Sequence, residues 1–266
     1  MAVALVTGAG SGIGRATTAL LLSQGWDVTG VDLSTPELGG DQGHYLGIAA
    51  DVSDPAANEA MVAAALERFG TVDSLVLNAG VTGLGPIDQY PLSEFERILA
   101  VDLKAPVYGV RAALPALRSS AGPRSIAVTA STSGLGGDPG MWAYNSAKAG
   151  VINLVRSLAL DLGPQGIRIN AVCPGPTATA MTERLRNEAP EAAAGLVASI
   201  PLHRWGRAEE VAAAIAFLIA PAASFITGVA LPVDGGVTAT TGQFRPPPST
   251  TGPSEPPDRA GDGAPV

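Results

Sequence analysis

The chain has 266 residues, 46% hydrophobic and only 15% charged, which is enough apolar sequence to bury one large α/β core. Its formal charge of -8, with no basic patch to offset it, argues against nucleic acid or an anionic membrane as a partner. The single cysteine, Cys173, rules out an intramolecular disulfide, fits a reducing compartment, and reads as a small buried residue at a strand end.

The first strand is expected over Ala2–Thr7, with no basic n-region or cleavage site of a secretory signal before it. Further strands are predicted near Asp27–Asp32, Gly47–Val52, Ser74–Asn78, Ser125–Ala130, Arg168–Cys173 and Ala230–Val233. Helices are predicted near Gly12–Gln24, Pro55–Phe69, Leu92–Arg118, Trp142–Leu162, Met181–Glu188 and Ala208–Ile219. Runs such as Ser74-Leu75-Val76-Leu77 are continuously apolar, as strands covered on both faces should be. The alternation predicts repeated βαβ units: an α/β chain forming a single doubly wound Rossmann-type domain, with a seven-stranded parallel sheet and helices on both faces. That domain is expected to span residues 1–237 and to carry both cofactor and substrate sites. Residues 238–266, with Pro246-Pro247-Pro248 and almost no large apolar side chain, read as a Pro/Gly-rich disordered tail. The longest apolar stretch, Val211 to Ala220, ends at Pro221 and is too short to cross a bilayer, so a cytoplasmic location is expected.

Immediately after the first strand comes Thr7-Gly8-Ala9-Gly10-Ser11-Gly12-Ile13-Gly14. A glycine-rich turn between strand and helix lets backbone N–H groups approach a pyrophosphate, and the helix N-terminus adds favourable partial charge. The spacing of Gly8, Gly12 and Gly14 is TGxxxGxG rather than GxGxxG. Asp32 ends the second strand, about where a carboxylate would bind the ribose 2′-OH of a dinucleotide. It would repel a 2′-phosphate, and neither Ser11 nor Leu33 supplies a compensating cation, while Arg15 reads equally well as a surface residue. NAD is therefore favoured over NADP, and no metal is expected.

Tyr144 and Lys148 stand four residues apart, about one helical turn, so phenol and ammonium share one helix face. An adjacent ammonium stabilises a phenolate, which lets a tyrosine act as acid or base. Ser131 is expected at the carboxyl end of a strand, where open α/β sheets place their ligands.

Taken together, these motifs resemble the classical short-chain dehydrogenases/reductases. The resemblance runs from Val3 to Val237 and rests on Thr7-Gly8 through Gly14, Asp51-Val52, Asn78-Ala79-Gly80, Ser131, Tyr144/Lys148, Pro174-Gly175 and Val233-Asp234-Gly235-Gly236. It implies that Tyr144 exchanges a proton with the substrate oxygen, that Lys148 supports Tyr144 and the nicotinamide ribose, and that Ser131 holds the substrate oxygen. By the same resemblance Gly8, Ser11, Gly12, Ile13 and Gly14 would take the pyrophosphate side, and Asp51 and Val52 the adenine. Asn78, Ala79 and Gly80 would support the adenosine, and Pro174, Gly175, Thr177 and Thr179 the nicotinamide, with Thr179 matched to its carboxamide. One position departs from the family: Asp102 stands where an asparagine usually completes the catalytic set. Its backbone carbonyl could still serve a proton relay, but a carboxylate near Lys148 should alter the pH profile.

Leu135, Met141 and Trp142, between Ser131 and Tyr144, are candidate substrate walls. The segment Pro176 to Arg207 is expected as a substrate lid carrying Met181, Leu185, Leu196 and Ile200, which ordinary packing explains equally well. The expected activity is reversible, NAD-linked oxidation of a medium-sized, apolar or cyclic secondary alcohol to its ketone. Alternatives are an NADPH-dependent 3-oxoacyl-carrier-protein reductase and a non-catalytic dinucleotide sensor or scaffold. The resemblance further implies a homo-oligomer, dimer or tetramer, paired through the helices holding Leu92–Arg118 and Trp142–Leu162.

Overall fold

Val3-Ala4-Leu5-Val6-Thr7 is buried at every position, which only a strand covered on both faces can be. This strand, β1, is central in the computed structural model, which describes residues 1–37, 43–241 and 246–247. The others are β2 (Asp27–Asp32), β3 (Tyr45–Ala49), β4 (Ser74–Leu77), β5 (Ser125–Thr129), β6 (Arg168–Pro174), β7 (Thr177–Ala178), β8 (Gly206–Arg207) and β9 (Ala230–Val233). Seven of them form one parallel sheet in the order β3-β2-β1-β4-β5-β6-β9.

Helices α1 (Gly12–Ser23) and α8 (Ala208–Ile219) pack on one face of the sheet, around Leu21, Val28, Val211 and Ile215. Helices α2 (Pro55–Phe69), α4 (Ala105–Ser119) and α5 (Trp142–Leu162) bury Met61, Leu117 and Val155 on the other. The order in which strands are added reverses between β1 and β4, so a crevice opens at their carboxyl ends, where such sheets bind ligands.

Three local features differ from the expectations. The third strand was expected over Gly47–Val52 but runs from Tyr45 to Ala49, pairing Val28 with Tyr45. Asp51 instead makes a turn, its carboxylate accepting from the Ser53 N–H at 2.9 Å, which ends the ladder. The helix expected over Leu92–Arg118 breaks into α3 (Leu92–Leu99), a π-helical turn at Ala100–Lys104, and α4. Pro106 has no N–H to donate to the Asp102 carbonyl, and the widened turn accommodates that gap.

The segment expected as a lid holds two helices, α6 (Ala180–Glu188) and α7 (Pro190–Ser199), the second not foreseen. Pro190 fits the start of α7 because the missing N–H would be unpaired there in any case. At the lid's base β7 and β8 pair as a two-residue ladder, Thr177 with Gly206 and Ala178 with Arg207. At the other end of the domain, Asp234 accepts from Thr238 N and Oγ1 at 2.8 and 2.6 Å, fixing a turn at Val237–Ala239 just past the expected boundary. Most of the expected tail lies outside the described residues.

Candidate active site

The carboxyl ends of β1, β4 and β5 are tied together by side chains. Thr7 Oγ1 accepts from the backbone N–H groups of Asn78 and Ala79 at 3.0 and 3.1 Å, and Thr129 Oγ1 donates to Asn78 Oδ1 at 3.0 Å. Above this rim lies a cavity of about 1130 Å³ that runs from the glycine loop to Ser131, Tyr144 and Lys148. A volume of that order holds a cofactor and a small substrate together.

The glycine loop is built for close backbone approach. A Cβ on Gly14 would fall 2.0 Å from the Gly8 carbonyl oxygen, so α1 can pack on the loop only without a side chain there. Gly8, Ser11, Gly12 and Ile13 line the cavity, while Gly14 serves that packing from behind. Asp32 also lines the cavity, with Oδ2 accepting from Gly10 N at 2.8 Å and Oδ1 from Leu33 N at 2.7 Å. Each oxygen keeps a lone pair for a hydroxyl. Asp51, Val52, Asn78, Ala79, Gly80, Pro174, Gly175, Thr177 and Thr179 line it as well. The residues present fit a dinucleotide: a glycine-rich cradle at a helix N-terminus, a carboxylate beyond it and a continuous cavity to the reactive side chains.

Ser131 follows β5, and its Oγ accepts from Ser133 N at 3.1 Å, leaving its own O–H free to donate into the cavity. Tyr144 lies in the first turn of α5, with the Lys148 ammonium 5.6 Å from its ring centroid. Lys148 is buried and donates to the Thr129 carbonyl at 3.0 Å. It also pairs with Asp102 Oδ1 at 3.0 Å, which leaves one N–H for the cavity. Asp102 is fully buried in the π turn and accepts from Val81 N at 3.3 Å. Gly80 makes room for it, since a Cβ there would stand 2.7 Å from Asp102 Oδ1.

Burial works against the Lys148 ammonium, but Asp102 and Tyr144 outweigh it and hold the lysine above its ordinary value. Burial pushes the Asp102 carboxyl up, with the Lys148 ammonium and the Val81 N–H pulling it back. The attraction between the two keeps the ammonium at neutral pH. Cys173 is buried beneath the site, and burial pushes its thiol up to about 11, which fits an inert packing residue.

The structure corrects three expectations. Asp102 does not reach the cavity and acts only from behind Lys148. Trp142 lies outside the cavity lining: its ring stacks on Phe95 at 5.3 Å and meets Tyr90 edge-on at 5.6 Å in an apolar cluster with Ile98 and Ala143. Leu135 ends the turn after Ser131, is 40% exposed, and lies outside the cavity lining. Met141, Met181, Leu185 and Leu196 do line the cavity, whereas Ile200 is buried in packing. Sequence reasoning missed Asp138, Leu84 and Trp205, which come to the cavity from loops. Only the position of Asp138 between Ser131 and Tyr144 could have signalled it.

A family profile described as enoyl-(acyl carrier protein) reductase matches residues 8–238. The meso-2,3-butanediol dehydrogenase of Serratia marcescens is 40% identical over 252 residues, covering 91% of this chain and 96% of that protein. The crystal structure of levodione reductase superposes with a TM-score of 0.84 at 34% identity, covering 90% of this chain and 98% of that one. A 3-ketoacyl-(acyl-carrier-protein) reductase from Brucella melitensis, solved in complex with NADH, gives a TM-score of 0.80 at 34% identity, covering 89% and 98%. With the sheet order, the glycine cradle and the Ser131, Tyr144 and Lys148 constellation in place, these likenesses assign the chain: it belongs to the classical short-chain dehydrogenase/reductase family.

Proposed function

We propose that this protein is a reversible, NAD(H)-linked secondary alcohol dehydrogenase and ketone reductase acting on medium-sized substrates. The observation that carries the reading is the single cavity that joins Asp32 and the glycine loop to Ser131, Tyr144 and Lys148. Similarity to the butanediol dehydrogenase and to levodione reductase points to the same class of reaction.

The nicotinamide, when bound, supplies the hydride acceptor or donor. Gly8, Ser11, Gly12 and Ile13 would hold the pyrophosphate against the N-terminus of α1, and Asp32 the adenosine ribose. Ser131 donates its hydroxyl hydrogen to the substrate oxygen, and Tyr144 takes the alcohol proton during oxidation or returns it during reduction. The Lys148 ammonium favours negative charge on the Tyr144 oxygen while its proton is away. Thr129 and Asp102 keep that ammonium in place.

Asp32 supports NAD over NADP because a carboxylate repels a 2′-phosphate, and Arg15 is exposed outside the cavity lining. A 3-oxoacyl-carrier-protein reductase remains the second reading because Arg97 and Lys104 line the cavity. Both cations are paired, with Glu94 and Glu96, which weakens them as a docking patch for an acidic partner. A homo-oligomer built on α4 and α5 is supported by their exposed Val107 and Leu160. Among the described residues, no helix is long and apolar enough to cross a membrane.

The test is an alcohol and ketone screen with NAD(H) and NADP(H), following nicotinamide absorbance. Turnover with NAD that falls at least about a hundredfold in Tyr144→Phe is expected. Strong preference for NADPH would overturn the Asp32 reading, and undiminished turnover in Tyr144→Phe would overturn the mechanism.

A further inference from the structure

The turn between Ser131 and Tyr144 holds one charged side chain, Asp138, and it lines the cavity. From Thr179 to Trp205 the lid contributes Thr179, Ala180, Met181, Thr182, Leu185, Leu196 and Trp205, none of them charged. Asp138, itself exposed, thus brings a carboxylate to a cavity whose other lining on these two segments is apolar or neutral. Arg97 and Lys104, each paired with a glutamate, line it elsewhere.

The carboxylate is held in place from the Ser131 side. Ser133 Oγ donates to Asp138 Oδ2 at 2.5 Å, while the Ser133 N–H donates to Ser131 Oγ at 3.1 Å. Ser133 therefore links the hydroxyl that would meet the reacting oxygen to the carboxylate beyond it. Asp138 Oδ1 has no hydrogen-bond partner among the described residues.

The turn itself does not need this side chain. The Asp138 backbone carbonyl accepts from Met141 N at 3.2 Å and from Asn145 Nδ2 at 2.9 Å, and these bonds start α5. The N-terminus of α5 receives no side-chain cap. A carboxylate that is buttressed, open on one oxygen and unused by the helix behind it is suited to accept a hydrogen bond from a ligand. Acceptors of this kind discriminate, because a substrate lacking the donor gains nothing and an anionic one is repelled.

We propose that Asp138 is a specificity-determining residue that accepts a hydrogen bond from a second hydroxyl of the substrate. The preferred substrates are then neutral diols and hydroxyketones, rather than simple alcohols or hydroxy acids of the same size. This rests on the dehydrogenase reading above and names the substrate class of that site. Ser133 acts as a positioning residue that aims the carboxylate.

The experiment compares kcat/KM for butane-2,3-diol, butan-2-ol and 3-hydroxybutyrate in the intact protein, Asp138→Leu and Asp138→Asn, with NAD. In the intact protein the diol is expected to exceed butan-2-ol by roughly tenfold or more, with 3-hydroxybutyrate lowest. The diol-to-butanol ratio should collapse by about that factor in Asp138→Leu. Asp138→Asn, which keeps an acceptor and the bond from Ser133 but not the charge, should retain part of the ratio and raise the rank of 3-hydroxybutyrate. A ratio that is near one in the intact protein, or unmoved by either variant, overturns the proposal while leaving the dehydrogenase reading intact. Absence of turnover with every alcohol, and with the corresponding ketones and NADH, overturns that reading and this proposal with it.

Discussion

Asp102 Oδ1 and Lys148 Nζ lie 3.0 Å apart with both side chains buried, so the lysine beside the catalytic tyrosine candidate carries its own counter-ion. Leaving a buried charge without its partner is costly, which ties the two residues together.

Asp102→Asn should therefore move the pH–rate profile without abolishing activity. Lys148 stays above its ordinary value because Asp102, chiefly, and Tyr144 oppose burial. Asparagine offers an oxygen but no charge, so burial then wins and the ammonium loses its proton at lower pH. The edge of the profile at which the ammonium loses its proton should shift to lower pH, measured as kcat/KM across pH. Stability has a matching sign. The Lys148 contribution is complete below the ordinary lysine value and disappears as pH rises through the raised value of the folded state. In Asp102→Asn burial holds the folded-state value below the ordinary one, so that loss disappears. The Lys148 contribution should instead grow more favourable as pH rises towards the ordinary lysine value, read from melting temperatures in alkaline buffers. Superimposable profiles would show that the carboxylate has no electrostatic role.

Asp32→Ala should lower kcat/KM with NAD relative to NADP by roughly tenfold or more, chiefly through KM. The change removes both the ribose acceptor and the repulsion of a 2′-phosphate. It also frees the N–H groups of Gly10 and Leu33, so the measurement is the ratio between cofactors rather than either rate alone.

Gly134→Ala should destabilise the fold from the active-site side. The added Cβ would sit 2.6 Å from the Lys148 carbonyl carbon and 2.8 Å from its oxygen, backbone atoms that cannot turn aside. Overpacking of this kind costs about 1–3 kcal/mol. A melting temperature lower by roughly 2–10 °C is expected, together with reduced kcat because the turn bearing Lys148 is displaced. An unchanged melting curve would show that the turn after Ser131 yields freely.

Much of the site is legible in the sequence because its parts are local. The glycine loop, the strand-end Ser131 and the one-turn spacing of Tyr144 and Lys148 each follow from the period of a single element. What escaped depends on contacts between elements. The direction of Trp142 is set by Phe95 and Tyr90, which lie far away in sequence before the π turn. The π turn follows from Pro106 within an otherwise continuous helical pattern, and propensity alone does not show how a helix absorbs a missing donor. The shortened third strand was decided by the Asp51 turn, which competes locally with a run of apolar residues suited to the sheet.

The two pairs that join Thr177–Ala178 to Gly206–Arg207 close a neck beneath α6 and α7. Everything between them enters and leaves the domain through one narrow doorway, so the long excursion costs little more chain entropy than a shorter one would. Its residues can be exchanged, lengthened or trimmed while the sheet and the Ser131 side of the cavity stay as they are. In this architecture the α6–α7 excursion is a detachable cassette, and the sheet with the Ser131 side of the cavity is the socket that receives it.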